Sequence, residues 1–226
     1  MPKKRNKKPL CVVLDLDDTI ADFCGELCWV HNKVNGTCVT KHDIRDWNFS
    51  TLRVRDARGN EVIGENLRKT FEYWEGHGLY ASLNLIPKSA EAVSIMRKFG
   101  YKVILITARN IKYKDETKLN LWKHRVHYDE IYFREEEDGE DFKTKKIKQL
   151  AKTYNIQMFA DDKFSTIEKA ALSGVHINNL CLIETASTRD LETEEDNYTL
   201  ISNEKIKKVR DLYDAARFLK DLTGGN

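Results

Sequence analysis

Four separated positions along the chain carry side chains suited to phosphoryl-transfer chemistry. In chain order they are the pair Asp15 and Asp17, then Thr107, then Lys143, and the pair Asp161 and Asp162. Carboxylates that lie close together repel one another unless a hard cation lies among them, and Mg²⁺ prefers oxygen ligands. One carboxylate can attack phosphorus to form an aspartyl-phosphate, while a hydroxyl and an ammonium group stabilise the phosphoryl oxygens. These residue types together predict Mg²⁺-dependent chemistry on a phosphate ester.

Short apolar runs that alternate with stretches of helical periodicity would position these side chains. The predicted strands are Leu10 to Leu14, Tyr101 to Ile106, Glu130 to Phe133, Gln157 to Ala160 and Leu180 to Ile183. The predicted helices are Pro87 to Gly100, Lys114 to His124, Thr144 to Tyr154, Ser165 to Leu172 and Glu204 to Leu222. This alternation predicts an α/β fold with a parallel sheet and right-handed crossovers. Because the carboxyl ends of parallel strands face a common crevice, the polar residues at strand ends are expected to converge there.

One segment breaks the alternation, because it is too long for an ordinary loop between neighbouring strands. It runs from Phe23 to Ile86 and holds the aromatic residues Trp29, Trp47, Phe71, Tyr73 and Trp74. We expect residues 23–86 to form a helical cap over the carboxyl edge of the sheet. Residues 10–22 and 87–226 would then form the catalytic core, and residues 1–9 a flexible basic tail.

The bulk composition is that of a soluble globular protein, with 41% hydrophobic and 33% charged residues among 226. No apolar run approaches the ~18 residues of a membrane helix, and the run Leu10 to Leu14 is too short for a signal-peptide core. We therefore expect a cytoplasmic protein with no membrane partner and with its five cysteines free. The net charge of +2 is concentrated in the tail. We interpret the tail as a solvated leader, with nucleic-acid contact as the alternative.

The polar positions and the runs before them resemble the four motifs of the haloacid dehalogenase (HAD) superfamily. The matching segments are Val12 to Ile20, Ile104 to Thr107, Lys143, and Phe159 to Asp162. The resemblance spans roughly Leu10 to Ile183. It implies a Rossmann-like parallel sheet flanked by helices, with an inserted helical cap between the first two strands.

The resemblance also implies a role for each matched carboxylate. Asp15 would be the nucleophile, and Asp17 the acid/base that protonates the leaving oxygen and then activates water. Mg²⁺ would be held by the Asp15 carboxylate, the Asp17 backbone carbonyl and Asp161, with Asp162 in support. Asp18 lies where many members carry Gly, and we expect it to be a bystander.

By the same resemblance, Thr107 and a lysine would bind the phosphate, and several lysines crowd together at that point. They are Lys143, Lys145, Lys146 and Lys148. Lys143 lies four residues before Ile147, on the apolar face that would turn toward the sheet. We therefore favour Lys143 and keep Lys145, which points elsewhere, as the fallback.

Within the superfamily the sequence is most similar to the 5′(3′)-deoxyribonucleotidases of cytosolic and mitochondrial type and to their phage and bacterial relatives. The similarity lies in Asp15 to Phe23 and in Phe71 to Val93. It implies a small nucleotide substrate whose base contacts Phe23 and Trp74, with Trp47 as a further candidate, since aromatic faces stack on bases. Arg109, just beyond Thr107, is a candidate for a contact with the phosphate or the ribose, with a solvated position as the alternative. Ala108 stands where those enzymes carry Ser, so one phosphate contact would be missing or come from the backbone.

A second substrate class stays open, because the segment Gly100 to Ile177 also resembles the 3′-phosphatase domain of phage polynucleotide kinase-phosphatase. The basic tail would suit a nucleic-acid end. Against this, a large cap closes over small substrates, whereas a polymer end needs an open approach. We therefore favour free (deoxy)nucleoside monophosphates.

A third alternative, from a different functional class, is a zinc-stabilised, non-catalytic binding module. Its ligands would come from Cys24, Cys28, His31, Cys38 and His42. Their spacing matches no zinc ribbon or finger. Three of them recur on one face of a predicted helix, so core packing explains them equally well.

Overall fold

The computed structural model describes residues 7–44, 49, 52–56, 58–185 and 206–223. Its strands are β1 (Leu10–Leu14), β2 (Arg53–Arg55), β3 (Glu61–Ile63), β4 (Lys102–Asn110), β5 (Glu130–Arg134), β6 (Asn155–Asp161), β7 (Leu180–Ile183) and β8 (Ile206–Val209). Its helices are α1 (Phe23–Asn35), α2 (Gly64–Glu75), α3 (Leu79–Ser82), α4 (Ser89–Lys98), α5 (Lys114–Lys123), α6 (Phe142–Thr153), α7 (Phe164–Ala171) and α8 (Leu212–Thr223). Among these helices, none is long and apolar enough to cross a membrane. Residues 1–6 of the predicted tail lie outside the described residues.

A six-stranded sheet in the order β5-β4-β1-β6-β7-β8 forms the centre of the core. Every neighbouring pair in it is parallel. β1 lies between β4 and β6, and its residues Cys11 to Leu14 are fully buried because helices cover both faces. The α/β fold predicted from the alternating pattern is confirmed.

Successive side chains of each strand enter two hydrophobic clusters on opposite faces of the sheet. Val12 and Leu14 pack with α4, α5 and α8 on one face. Cys11 and Val13 pack with α6 and α7 on the other face. Helices therefore cover both faces of the sheet. Because β1 and β6 are parallel neighbours, the polar residues at their ends lie together at the carboxyl edge.

One predicted helix is wrong at its start. The spacing predicts a helix from Glu204 to Leu222, but Ile206–Val209 forms β8 and α8 begins only afterwards. Ile206 packs with α6 and α7, whereas Val209 packs with α4, α5 and α8. Two apolar residues three positions apart fit one face of a helix, but a strand covered on both sides buries them on opposite faces. This stretch is a strand because its backbone pairs in parallel with β7.

Two strands extend further than their apolar runs predict. β4 does not end before Thr107 but continues to Asn110, and Thr107 pairs with Phe133 of β5. β6 likewise includes Asp161 as its last residue, paired with Leu182 of β7. Thr107 and Asp161 are therefore held inside the sheet by backbone pairing and do not lie in the loops beyond it.

The segment between β1 and α4 packs around a hydrophobic cluster of its own. Leu27, Leu67 and Leu79 are fully buried in that cluster. The segment is helical in α1, α2 and α3, as predicted, but β2 and β3 add an antiparallel hairpin that the sequence analysis missed. Strands of three residues are too short for an alternating pattern to be recognised.

Asp18 fixes the turn between β1 and α1. Its backbone φ is 52°, in the left-handed region that favours glycine. Its Oδ1 accepts a hydrogen bond of 3.0 Å from the backbone N–H of Cys24, which would otherwise lack a partner in the first turn of α1. Asp18 therefore has a structural role at the start of α1, and the expectation that it takes no part in the chemistry stays a prediction.

Candidate active site

Lys143 links two carboxylates at the carboxyl edge of the sheet. Asp15 follows β1, Asp161 ends β6, and Lys143 lies in the first turn of α6. The Lys143 Nζ is 2.7 Å from Asp15 Oδ1 and 2.7 Å from Asp161 Oδ2. Lys145, by contrast, is exposed and lines a different cavity. The structure thus places Lys143, and not the fallback lysine, between the two aspartates.

Three buried carboxylates lie close enough to share a cation. Oxygen atoms of Asp15, Asp161 and Asp162 lie within 4.8 Å of one another. Burial raises the pKa of Asp15 to about 7, against the opposing effect of Lys143. Burial and the charge of Asp161 raise the pKa of Asp162 well above its usual value, and Asp162 Oδ2 is buried without a hydrogen-bond partner. Oxygen-only donors, excess negative charge and an unpartnered oxygen together fit a hard divalent cation.

Asp17 does not join this group, because its carboxylate is paired with Arg109. The Arg109 Nη2 lies 2.6 Å from Asp17 Oδ1, and its Nε donates to both carboxylate oxygens at 3.2 and 3.1 Å. Arg109 also donates from Nη1 to the Thr117 hydroxyl at 3.1 Å. Its guanidinium carbon lies 4.5 Å from the centre of the Tyr80 ring. The sequence interpretation gave Arg109 a phosphate contact, but its donors are directed at Asp17, a partner 92 positions away that no local pattern shows.

Thr107 lies on β4, directly before Ala108 and Arg109. Its side chain is fully buried, and its Oγ1 accepts a hydrogen bond of 3.2 Å from the Arg109 backbone N–H. The hydroxyl hydrogen remains available for an oxygen of a bound group, because a hydroxyl both donates and accepts. Ala108 lines the cavity directly after it.

A cavity of about 460 Å³ opens above the aspartates, between the sheet edge and the inserted segment. The inserted segment contributes four aromatic side chains to its lining, namely Phe23, Phe49, Phe71 and Tyr80. Apart from Ala108, the remaining lining is polar, with Glu75, Arg109, Asn110, Arg134 and Lys163 beside Asp15, Asp17, Lys143, Asp161 and Asp162. The cavity therefore has charged residues on the side of the sheet. On the side of the inserted segment it has an aromatic wall, formed by Phe23, Phe49, Phe71 and Tyr80. This combination is typical of small-molecule sites.

Of the predicted pocket aromatics, only Phe23 is placed in the cavity. Its ring packs edge-to-face against Phe71, with centroids 5.7 Å apart. Trp74 does not line the cavity; it is partly buried and packs against the cluster of the inserted segment. Trp47 lies outside the described residues. Three cavity aromatics were not predicted, namely Phe49, Phe71 and Tyr80. For Phe71, the spacing of four from Glu75 on α2, which faces the same cavity, is the signal that could have found it.

Phe49 reaches the cavity through a close backbone approach. A Cβ atom at Gly64 would lie 1.7 Å from the Phe49 carbonyl oxygen, so only glycine allows this contact. Gly64 is also the first residue of α2, the helix that carries Phe71. Gly64 therefore allows Phe49 to lie close to α2, so that Phe49 and Phe71 line the same cavity.

The cysteine and histidine residues described in the inserted segment form no metal site. Among the described residues, the acidic triad is the one His, Cys, Asp or Glu group spaced for a metal ion. Cys24 and Cys28 are buried in the cluster of the inserted segment, while Cys38 is exposed. The His31 Nδ1 is 2.8 Å from the Thr70 hydroxyl. The described residues therefore give the zinc alternative no support, and core packing accounts for Cys24 and Cys28.

Comparison with known proteins identifies the family. Residues 58–200 match the family model described as HAD superfamily, subfamily IIIB (Acid phosphatase). This range is more than half of the chain, and it contains Thr107, Lys143 and Asp161. No curated protein matches the chain by sequence.

Solved structures resemble the chain in fold. A haloacid dehalogenase-like hydrolase from Streptococcus pneumoniae is 15% identical with a TM-score of 0.57, over 93% of this chain and 98% of its own. A phosphonoacetaldehyde hydrolase-like protein from Oleispira antarctica is 14% identical with a TM-score of 0.57, over 100% and 99%. Two structures of the Pnkp1/Rnl/Hen1 RNA repair complex match 72% of this chain at 20% identity and a TM-score of 0.43. The chain spans only 39% and 42% of their length.

The family model and the geometry agree on the general reaction. The family is one of phosphatases, and the site joins buried carboxylates, a lysine and a threonine at the end of a parallel sheet. Phosphomonoester hydrolysis is the reaction that this membership supports. The chain belongs to the HAD superfamily, in the acid phosphatase subfamily IIIB.

Proposed function

We propose that the protein is a Mg²⁺-dependent phosphatase of (deoxy)nucleoside monophosphates that works through an aspartyl-phosphate on Asp15. The observation that carries this proposal is the separation of two charged pairs at one sheet edge. Lys143 contacts Asp15 and Asp161, whereas Arg109 binds Asp17. Two aspartates two residues apart in sequence thereby have different partners and can perform different tasks.

Asp15 is the proposed nucleophile. Its carboxylate attacks phosphorus, and the bond between phosphorus and the ester oxygen breaks as the new bond forms. Lys143, at 2.7 Å from Asp15 Oδ1, holds the carboxylate in place and offsets negative charge on the phosphoryl oxygens. The Thr107 hydroxyl, one residue before the cavity-lining Ala108, is proposed as a further donor to the phosphoryl oxygens.

Asp17 is the proposed acid/base. It gives its proton to the departing ester oxygen and later takes one from the water that attacks the aspartyl-phosphate. Arg109 is the proposed positioning residue, because its fork-shaped contact fixes the orientation of the Asp17 carboxylate. The Tyr80 ring packs against the guanidinium and helps to hold it in place.

Asp15, Asp161 and Asp162, with the Asp17 backbone carbonyl, would hold Mg²⁺. The ion, when bound, neutralises negative charge on the phosphate and among the carboxylates. Among the described residues, the three carboxylates form ion pairs with one ammonium group, that of Lys143, so negative charge is left uncompensated there.

Mg²⁺ should therefore stabilise the folded protein. At a concentration 100 times its dissociation constant, we expect about 2.7 kcal/mol of added stability, visible as a higher Tm in calorimetry. Asp161→Asn should lose most of this gain, whereas the exposed Asp141→Asn should keep it. A gain of equal size in both variants would contradict the proposed metal site.

The proposed substrate class rests on the aromatic wall above the phosphate site. Phe23, Phe49 and Phe71 offer faces or edges to a flat base, and Glu75 can accept a hydrogen bond from an amino group. The similarity of the sequence to the deoxyribonucleotidases supports the same class. We accordingly propose that residues 23–86 act as the cap and residues 10–22 and 87–226 as the catalytic core.

A polynucleotide 3′-phosphatase is the second candidate, and two cations favour it. Arg134 and Lys163 line the cavity, and neither forms an ion pair with another residue in the described part of the chain. A substrate with a further phosphate beyond the scissile one would use them. A nucleic-acid end provides such a phosphate.

One panel of substrates tests both candidates. Phosphate release is measured with Mg²⁺ on ribo- and deoxyribonucleoside monophosphates and on an oligonucleotide with a 3′-phosphate. We expect the monophosphates to have the higher kcat/KM. Efficient release from the oligonucleotide, with poor release from the monophosphates, would replace the first candidate with the second.

The wall itself can be tested with a matched pair of aromatic variants. Phe71→Ala should raise KM for nucleoside monophosphates about 5- to 150-fold, since base stacking contributes about 1–3 kcal/mol. Its KM for p-nitrophenyl phosphate should change less, because that substrate has no base. Trp74→Ala, on the same helix but outside the cavity, is the control and should leave both KM values close to the wild type. If Trp74→Ala raises KM for nucleoside monophosphates and Phe71→Ala does not, Trp74 contacts the base, as expected from the sequence.

A further inference from the structure

A second concave surface lies at the amino-terminal end of the sheet, away from the aspartates. It is a groove of about 940 Å³ bounded by the start of β1, the end of α6, the start of β6 and the turn after α7. Its lining includes five basic side chains: Lys7, Lys8, Lys148, Lys152 and His176. In the part of the chain that the structure describes, no carboxylate belongs to the lining. We call this surface the basic groove.

The fold, and not chance exposure, brings these side chains together. Lys148 and Lys152 are four residues apart on α6 and therefore share one face of the helix. The Lys8 Nζ donates a hydrogen bond of 2.6 Å to the Ala151 carbonyl, which fixes the segment before β1 against the end of α6. Gly174, with φ of 76°, makes the turn that leads to His176.

Three of the four lysines that line the basic groove have no carboxylate partner in the part of the chain that the structure describes. Lys7, Lys148 and Lys152 form no ion pair with any described carboxylate, although the whole chain carries a net charge of only +2. An uncompensated group of cations on a concave surface attracts a polyanion. The groove is separate from the catalytic site, because β6 leads from Asn155 at the groove to Asp161 over about 20 Å at ~3.3 Å per residue.

We propose that the basic groove binds single-stranded nucleic acid through its sugar-phosphate backbone. Several cations along one groove match a chain of regularly spaced phosphates better than a single small anion. Tyr154 also lines the groove and presents an aromatic side chain on which a base can stack. A membrane fits less well, because a concave surface cannot lie flat on a bilayer. The proposal is independent of the phosphate ester that the active site prefers.

The test measures the fluorescence anisotropy of a labelled single-stranded oligonucleotide of about 12 nucleotides. Lys148→Glu/Lys152→Glu removes the groove charge at two exposed positions outside the catalytic site. The control is Lys98→Glu/Lys118→Glu, which changes the net charge equally at exposed positions on α4 and α5, across the sheet. At about 50 mM salt we expect Kd to rise at least tenfold in the groove variant, while the control stays near the wild type.

Two further measurements test whether the lysines contact phosphates and whether the variants stay folded. The slope of log Kd against log salt should decrease by about 1.4 in the groove variant, because each phosphate that a lysine neutralises on a single strand contributes about 0.7 to that slope. Turnover of p-nitrophenyl phosphate should be equal in the wild type and both variants, which shows that the fold and the active site are intact.

Three outcomes would overturn the proposal. They are the absence of oligonucleotide binding by the wild type, an equal loss of affinity in the control variant, and binding to phosphatidylserine vesicles without binding to the oligonucleotide. The second would show that net charge alone is responsible, and the third that the groove serves a membrane surface.

Discussion

Asp15→Asn should reduce phosphate release from every substrate by at least about 10⁴-fold, because an amide cannot attack phosphorus as the carboxylate does. The side chain keeps its size, and an amide oxygen can still accept from Lys143, so the fold should remain intact. Single-turnover phosphate release and calorimetry would measure the two effects separately. Chelation of Mg²⁺ should abolish turnover of the wild type in the same assay.

The control for this experiment is Asp141→Asn, an isosteric change at an exposed carboxylate next to α6. It should retain the activity of the wild type. Activity of Asp15→Asn above about one hundredth of the wild type would refute an aspartyl-phosphate on this residue, whichever substrate is used.

The second large effect is expected at Arg109, and its size should depend on the leaving group. Arg109→Gln leaves Asp17 without its buried partner, so protonation of the departing oxygen should suffer. We expect a loss of about 10²- to 10⁴-fold on nucleoside monophosphates, the range that general acid catalysis contributes. The loss on 2,4-dinitrophenyl phosphate should be about tenfold or less, because that leaving group departs without a proton.

This prediction distinguishes the two roles proposed for Arg109. A positioning residue for the acid gives a loss that grows with the pKa of the leaving group. A phosphate ligand, as the sequence suggested, gives the same loss on both substrates. Arg134→Gln is the matched control, because Arg134 lines the same cavity without contacting Asp17, and it should show no dependence on the leaving group.

The placement of several site residues was predictable from the sequence because it depends on local order. Asp15 and Asp161 are placed by the ends of apolar strands, and strand ends are visible as a change from buried to polar residues. The choice of Lys143 over Lys145 followed from helical spacing relative to Ile147, and the structure places the two lysines accordingly. Each of these inferences needs only residues that are near one another in the chain.

The errors arose where partners are distant in sequence. The spacing of Ile206 and Val209 suits a helix, and only pairing with β7 on an already covered sheet makes that stretch a strand. Trp74 and Phe71 lie three residues apart on α2, and composition gives no reason to choose between them. The orientation of α2 against the sheet decides the matter, and it depends on contacts such as that between Gly64 and Phe49.

The sequence by itself determined the α/β class, the parallel sheet and the residues that meet at its carboxyl edge, because periodicity and strand ends are local properties. Only the tertiary structure decided which groups become partners. In the tertiary structure Arg109 pairs with Asp17, and Asp18 accepts a hydrogen bond from the first turn of α1. Phe71 lines the cavity, and four separate segments form the basic groove. These contacts join segments that pack together through long-range burial, and no local pattern encodes the distance or direction between such segments.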